Sequence, residues 1–194
     1  MKRMILASGS PRRKELLQML EVPFEVLVSD TKEVITKNEP AEVTKELSYQ
    51  KAMAVAEQVE EGIIIGADTV VSIDGKILGK PADTEEAREM IYKLQGKSHM
   101  VYTGVTVIAK SGDMVSASSF AEGTKVNVAP MTENEIEAYI STDEPYDKAG
   151  AYGIQGLFGK FIEGIKGDYF NVVGLPVCLV GQLLARFGVD PFLI

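Results

Sequence analysis

The sequence predicts an α/β protein with a central mixed β-sheet flanked by helices. Strand-like and helix-like patterns alternate in the first half of the chain, in the order βαβαβ, which suggests this fold class. The wholly apolar residues 63–65 indicate a strand that is covered on both faces. Asp74-Gly75 is a hairpin turn signal, so a hairpin follows. A length of 194 residues suits a single domain over residues 1–194.

In the first half, apolar spacing and cap residues predict each element. Ser10 and Pro11 suit the start of a helix, and Pro40 suits the start of another that ends before Gly62. The Gly-Ala-Asp-Thr segment after residue 65 predicts a turn that contains Asp68. Strands are predicted over residues 4–7, 24–28, 63–65, 70–73 and 77–78.

The second half follows the same logic. Asp83 with Glu86, and Thr132 with Glu135, have the spacing of helix caps, and Pro176 begins a last helix that ends before Gly188. Residues 144–156 are loop-like. Strands are predicted over residues 99–109, 114–128, 157–162 and 169–173.

Composition and charge exclude several classes of protein. A net charge of −8 counts against a nucleic-acid binder, which usually presents a basic face. No apolar run is long enough to span a bilayer, and the first residues lack a signal-length apolar segment. The single cysteine, Cys178, rules out an internal disulfide, and its apolar neighbours predict a buried thiol. We therefore expect a cytoplasmic protein.

The loop before the first helix combines hydroxyls, a helix N-terminus and two guanidiniums. Ser8 and Ser10 supply the hydroxyls, and Arg12 and Arg13 supply forks that match phosphate oxygens. Basic residues in a first turn oppose the helix dipole, which favours a ligand-binding role. An ordinary capped helix with solvated arginines explains this stretch equally well.

Further candidates are spread along the chain. Asp68 suits binding Mg²⁺ or accepting a proton from water, because ligands gather at strand ends in α/β folds. Glu33, Lys51 and Lys80 supply the other charges that a metal-bound triphosphate needs. Each also has a plainer interpretation, as a turn residue for Asp68 and as solvated charges for the others. His99 lacks a second histidine for a metal site or a catalytic pair.

Gln155 lies in an unusual glycine-rich stretch. Glycines allow a close approach of the backbone to a ligand, and the Gln155 amide has the donor and acceptor needed to read the edge of a base. A glycine-rich surface turn is the alternative.

Five stretches in this order resemble one known family. They are Leu6-Ala7-Ser8-Gly9-Ser10-Pro11-Arg12-Arg13, Gly66-Ala67-Asp68-Thr69-Val70, Gly79-Lys80-Pro81, Glu144-Pro145-Tyr146-Asp147-Lys148-Ala149-Gly150-Ala151-Tyr152-Gly153-Ile154-Gln155-Gly156 and Val173-Gly174-Leu175-Pro176. Together they resemble the Maf family, the septum-formation inhibitor proteins that act as nucleoside-triphosphate pyrophosphatases. The resemblance covers nearly the whole chain.

The resemblance implies an elongated two-lobed fold similar to the inosine-triphosphate pyrophosphatases, with the active cleft between the lobes. It implies hydrolysis between the α- and β-phosphates with Mg²⁺ or Mn²⁺. By position, Asp68 resembles the proton acceptor and, with Glu33, the metal-site carboxylates. Lys51 and Lys80 resemble catalytic cations on the triphosphate, which Ser8, Ser10, Arg12 and Arg13 help to bind.

Three positions divide the family by substrate. Arg12, Thr69 and Gln155 match the dTTP/UTP branch, whereas a branch acting on 7-methyl-GTP has Trp, Gln and Glu there. The resemblance thus implies a pyrophosphatase for dTTP, UTP and modified pyrimidine nucleotides, in nucleotide-pool housecleaning or arrest of cell division. The competing hypothesis is a non-catalytic nucleotide-responsive or nucleic-acid-binding regulator of septum formation. The expected partner is a small nucleotide rather than a membrane or nucleic acid, and a homodimer stays open.

Overall fold

Strand β1 lies between two parallel neighbours in a mixed sheet. A computed structural model describes residues 3–28 and 32–189 of the chain. In these residues the strands are β1 (Met4–Leu6), β2 (Glu25–Val26), β3 (Glu61–Ile73), β4 (Lys76–Leu78), β5 (Ser98–Ser111), β6 (Met114–Val128) and β7 (Ile162–Lys166). Their order is β2-β1-β3-β5-β6-β7, with β4 beside β3.

Both strand directions occur in this sheet. Ile5 of β1 is opposite Glu25 of β2 and Ile64 of β3 in parallel registers. Strand β4 turns back antiparallel to β3, as the Asp74-Gly75 signal predicts. Strand β7 is antiparallel to β6. The predicted mixed sheet flanked by helices is confirmed.

Helices and short 3-10 helices connect the strands. The helices are α1 (Pro11–Gln18), α2 (Pro40–Ala56), α3 (Thr84–Leu94), α4 (Glu133–Ile140), α5 (Tyr169–Val173) and α6 (Val177–Arg186). The 3-10 helices are Glu144–Asp147, Ala149–Ala151 and Leu157–Phe161. The predicted caps are confirmed at α3, where Asp83 accepts the Glu86 N–H at 2.9 Å, and at α4, where Thr132 and Glu135 form a capping box.

The chain divides into two compact units. Unit 1 consists of Met1–Asp68, Thr103–Glu122 and Gly174–Ile194, and unit 2 consists of Thr69–Tyr102 and Gly123–Val173. Strand β3 therefore passes from unit 1 to unit 2 between Asp68 and Thr69.

In unit 1, helix α2 packs directly on the sheet because two glycines lack side chains. A Cβ added to Gly66 of β3 would lie 2.3 Å from the Ser48 carbonyl oxygen. A Cβ added to Gly104 of β5 would lie 2.2 Å from the Thr44 carbonyl group. Such distances are far inside van der Waals contact, so any larger residue at either position displaces α2. The resulting core contains Ile5, Ala7, Ala52, Val55, Ala56, Val59, Ile64 and Ile108.

Unit 2 has its own core, built around aromatic rings. Phe158 is fully buried and packs against Tyr139, Tyr152 and Phe161, with ring centroids 4.7–5.7 Å apart. Helix α3 contributes its apolar face, which includes Leu94. Rings at these distances and tilts gain attraction beyond the area that they bury.

The predicted turn at Gly66-Ala67-Asp68-Thr69 is wrong. Strand β3 runs without a break over Glu61–Ile73, so Asp68 lies within a strand rather than after one. The glycine that suggested the turn instead allows the close packing of α2. Local sequence does not separate these two uses of glycine.

Three predicted strands also differ from the structure. Leu157–Phe161 is a 3-10 helix, Tyr169–Val173 is helix α5, and β2 is reduced to Glu25–Val26. Asp168 accepts the Phe170 N–H at 2.8 Å, which favours a helical turn there. Segments of five residues are too short for periodicity to separate a helix from a strand.

Cys178 is exposed, so the predicted buried thiol is also wrong. Helix α6 turns Val177, Val180 and Leu184 inward, and Cys178 lies on its outer face. None of the helices in residues 3–28 and 32–189 is long and apolar enough to cross a bilayer.

Candidate active site

Helix α1 begins in the loop that the sequence singles out. The Ser10 side chain accepts the Arg13 N–H at 3.5 Å, and Pro11 is in the first turn, which confirms the predicted cap. Ser8 is buried, and its Oγ accepts the Ser10 N–H at 3.3 Å. Both predicted hydroxyls therefore lie at the start of this helix.

Arg13 is fixed by hydrogen bonds rather than solvated. Its Nη1 donates to Ser8 Oγ at 3.2 Å, and its Nε donates to the Gly174 carbonyl oxygen at 2.9 Å. Arg12 is partly buried beside it. The predicted cap is therefore confirmed, the interpretation of Arg13 as a solvated charge is wrong, and the ligand-binding role of this loop stays a prediction.

Arg13 is also coupled to the predicted carboxylates. Desolvation lowers the pKa of the Arg13 guanidinium from its ordinary value, and the Asp68 carboxylate is the strongest influence in the opposite direction. The Arg12 charge lowers the same pKa, and the Glu33 carboxylate raises it. Arg13 therefore interacts with the charges of residues from a loop, its own helix and strand β3.

Lys51 of helix α2 joins the two predicted carboxylates. Its Nζ contacts Asp68 Oδ1 in a short ion pair and lies 3.0 Å from Glu33 Oε1. Asp68 is 9% exposed, so this carboxylate is largely shielded from solvent and is compensated by Lys51. The structure thus brings Glu33, Lys51 and Asp68 together in unit 1.

Helix α2 also holds the loop that contains Glu33. Gln50 Nε2 donates to the Val34 carbonyl oxygen at 2.6 Å, and Gln50 Oε1 accepts the Val34 N–H at 2.9 Å. Glu46 Oε2 accepts the Thr36 N–H at 2.9 Å, and its Oε1 accepts the Thr36 hydroxyl hydrogen at 2.5 Å. Sequence reasoning missed Gln50 and Glu46. Their spacing of four residues places them on one helix face, but nothing in the sequence indicates the loop that they meet.

Unit 2 contains the other three candidates. Thr69 follows Asp68 in β3 and is partly buried, while Lys80 and Gln155 are exposed. The Gly150 N–H donates to the Gly79 carbonyl oxygen at 2.9 Å, which ties the residue before Lys80 to the glycine-rich stretch.

His99 of β5 is a buried histidine. Its Nε2 lies 2.6 Å from the Tyr152 hydroxyl, and Nδ1 has no hydrogen-bond partner among residues 3–28 and 32–189. Burial lowers the pKa of His99 to about 4, so the ring is neutral at pH 7.

Asp68 and Glu33 are the candidate metal ligands. No group of three or more His, Cys, Asp or Glu side chains within the described parts of the chain is arranged to hold a metal ion. Mg²⁺ is commonly bound through one or two carboxylates together with substrate phosphates and water. Two carboxylates that meet at one ammonium fit this kind of shared site.

Comparisons with solved structures and curated proteins place the chain among known proteins. The Staphylococcus aureus Ham1 protein aligns with a TM-score of 0.47 and 16% identity, covering 66% of this chain and 72% of that one. A nucleoside-triphosphatase (dITP/XTP pyrophosphatase) from Mycobacterium abscessus aligns with a TM-score of 0.46 and 13% identity, covering 95% and 98%.

Curated relatives are much more similar in sequence. A dTTP/UTP pyrophosphatase from Bacillus cytotoxicus is 52% identical over 188 residues, which cover 96% of each chain. One from Bacillus cereus is 48% identical over 191 residues, which cover 98% of each chain. The family model described as Maf-like protein matches residues 3–187. With both a family match over almost its whole length and relatives at about half identity, this chain belongs to the Maf family.

Proposed function

We propose that this protein is a nucleoside-triphosphate pyrophosphatase that hydrolyses dTTP and UTP to the monophosphate and pyrophosphate. Two curated relatives with this printed name cover nearly the whole chain at 52% and 48% identity. The observation that supports it best is the meeting of Glu33, Lys51 and Asp68, with Arg13 electrostatically coupled to both carboxylates. Positive and negative groups of this kind suit a polyanionic substrate and an attacking water.

The chemistry follows from the charges of a phosphoanhydride. Its negative oxygens repel both a nucleophile and a base, so catalysis depends on neutralising charge and positioning water. Arg12, Arg13, Lys51 and Lys80 bind phosphate oxygens, with hydrogen bonds from Ser8 and Ser10. The water oxygen bonds to the α-phosphorus as the bond between that phosphorus and the oxygen bridging to the β-phosphate breaks. Asp68 accepts the proton of that water, and pyrophosphate leaves with the electron pair of the broken bond.

The proposal includes a divalent metal ion, Mg²⁺ or Mn²⁺. Asp68 and Glu33 would hold it, since oxygen ligands suit both ions. When bound, such an ion neutralises charge on the phosphate oxygens.

Base selection is assigned to Gln155, together with Arg12 and Thr69. Thymine and uracil present an acceptor beside the N3–H donor, and an amide has the matching donor and acceptor. Cytosine reverses this pattern, so CTP should be a poor substrate because polar groups would be left unpaired. Modified pyrimidines that keep this edge belong to the same substrate class.

We place the activity in the cytoplasm, where a lone free thiol such as Cys178 stays reduced. The proposal includes removal of modified nucleotides and control of septum formation as physiological roles, both taken from the family resemblance.

Pyrophosphate release from dTTP, UTP, CTP, GTP and 7-methyl-GTP, with and without Mg²⁺, tests the proposal. We expect turnover of dTTP and UTP in the presence of Mg²⁺. Tight binding of dTTP without turnover would instead identify a nucleotide-responsive regulator. Better turnover of GTP or 7-methyl-GTP than of dTTP would contradict the assigned substrate class.

A further inference from the structure

Gln155 lies in a tight turn of unit 2. The Gly156 N–H donates to the Gly153 carbonyl oxygen at 3.1 Å, which closes a four-residue turn with Gln155 in its third position. Because Gln155 is exposed, the backbone of this turn sets the direction in which its side chain leaves the main chain. Whatever fixes the turn therefore limits the positions that the amide can reach.

The Glu144 carboxylate binds the main chain that directly follows this turn. The Leu157 N–H donates to Glu144 Oε2 at 2.6 Å, and the Phe158 N–H donates to Oε1 at 3.3 Å. These are the first N–H groups of the 3-10 helix Leu157–Phe161, whose N-cap residue Gly156 offers no side chain. A carboxylate from another part of the chain thus caps this helix.

The residues before Gln155 in the turn are also linked to Glu144, through Lys148. Lys148 Nζ donates to the Glu144 carbonyl oxygen at 2.7 Å. A Cβ added to Gly153 would lie 2.8 Å from Lys148 Cε, and one added to Gly156 would lie 2.3 Å from the Glu144 carboxyl group. The main chain on both sides of Gln155 is therefore packed against Glu144 or the lysine that it holds.

Tyr139 adds a donor to the same carboxylate. Its hydroxyl lies 3.2 Å from Glu144 Oε1 and 3.1 Å from the Ala151 carbonyl oxygen. Burial, and next the Glu144 charge, raise the pKa of this hydroxyl above its ordinary value of 10, so it stays a donor at neutral pH. The Glu144 carboxylate thus accepts hydrogen bonds from Tyr139, Leu157 and Phe158.

We propose that Glu144 is a positioning residue for specificity: it fixes the Gln155 turn and so determines selection of the pyrimidine base. This inference rests on the proposed function, because it takes Gln155 as the residue that reads the base. Glu144 lies eleven residues before Gln155 in the sequence. Its carboxylate reaches the turn through the main-chain N–H groups of Leu157 and Phe158. Contacts to the base are made in the ground state and in the transition state alike, so their loss raises KM more than it lowers kcat.

Glu144→Gln tests this role with little change of size. An amide has one acceptor oxygen, so its NH₂ group meets one of the two N–H donors and that bond is lost. We expect the ratio of kcat/KM for dTTP to that for CTP to fall by about tenfold, with the dTTP KM raised and kcat within about threefold. Tyr139→Phe is the matched control. It removes a donor to the same carboxylate but leaves both main-chain bonds, so its ratio should stay within about twofold of wild type.

A double-mutant cycle with Gln155→Ala separates the outcomes. If Glu144 acts through Gln155, Glu144→Gln lowers the ratio in the wild-type background but not in Gln155→Ala. If Gln155→Ala lowers the ratio and Glu144→Gln does not, or if the two losses simply add, the positioning role is wrong while the proposed function stands. If the wild type does not release pyrophosphate from dTTP, the proposed function itself is wrong. Should Glu144→Gln fold poorly, Glu144→Asp, which keeps the charge on a shorter stem, is compared in the same cycle.

Discussion

Gln50 binds both main-chain groups of Val34, as a neighbouring strand would. Its amide nitrogen lies 2.6 Å from the Val34 carbonyl oxygen, and its amide oxygen lies 2.9 Å from the Val34 nitrogen. Val34 directly follows Glu33, so this pair of bonds holds the Glu33 carboxylate near Lys51.

Gln50→Ala should therefore lower activity although it leaves Glu33, Lys51 and Asp68 themselves unchanged. We expect kcat/KM for dTTP to fall about threefold to tenfold, since each lost hydrogen bond contributes roughly 0.5–1.5 kcal/mol. Gln58→Ala is the control, because Gln58 also bonds a main-chain carbonyl, that of Ala54 at 2.8 Å, but lies just beyond the C-terminus of α2. Steady-state kinetics check both variants, and equal kinetics for the two would contradict a role for Gln50 in holding Glu33.

Asp68→Asn should abolish turnover while nucleotide binding survives. The amide keeps the size of the side chain but cannot accept the proton of the attacking water, and losing a general base costs a factor of ~10²–10⁴. Pyrophosphate release and equilibrium binding of dTTP measure the two properties separately. Asp74→Asn, in the exposed hairpin turn, is expected to behave as wild type. Substantial activity in Asp68→Asn would remove this residue from the mechanism.

Arg13→Lys should fail to rescue the loss caused by Arg13→Ala. A lysine keeps the charge but cannot bond Ser8 and the Gly174 carbonyl oxygen at the same time through a planar fork. We expect kcat/KM to fall about tenfold to a hundredfold in both variants. A hydrogen bond made by a charged group such as the Arg13 guanidinium contributes roughly 1.5–3 kcal/mol. Lys14→Ala, an exposed cation on the same helix, is the control. Wild-type kinetics with lowered thermal stability in Arg13→Ala would indicate a purely structural arginine.

Stability should decrease with falling pH because of His99. Burial lowers the folded-state pKa of His99 from 6.5 to about 4, so protonation favours the unfolded chain. The stability that depends on a neutral His99 is fully present above pH 6.5 and is lost progressively as the pH falls to about 4. At 1.36 kcal/mol per pKa unit, the loss from this group reaches about 3 kcal/mol.

Urea unfolding between pH 7.5 and 4.5 measures this loss. His99→Gln is the comparison, because it keeps polar atoms in the core but does not titrate. It should be less stable than wild type at pH 7.5 and should lack the His99 share of the pH dependence. Parallel curves for the two proteins would show that His99 does not couple folding to protons.

Features fixed by neighbours in sequence could be predicted, and features fixed by distant contacts could not. Ser10, Asp83 and Thr132 cap helices as expected, because a cap needs only the next three residues. The resemblance assigned Lys51 and Asp68 to one site, but their ion pair was not predicted, since no local pattern indicates it. The position of Asp68 inside β3 was mispredicted because Gly66 was interpreted as a turn residue. Its lack of a side chain instead serves the close packing of α2, which the neighbouring sequence does not indicate.

The close packing of helix α2 has an electrical consequence. Lys51 reaches Asp68 from this helix, and the distance of the helix from the sheet depends on two missing methyl groups, at Gly66 and Gly104. A methyl group at either position would push α2 away from the sheet. The Lys51 ammonium would then move away from the shielded Asp68 carboxylate. Two residues without any charge therefore control the electric field at Asp68.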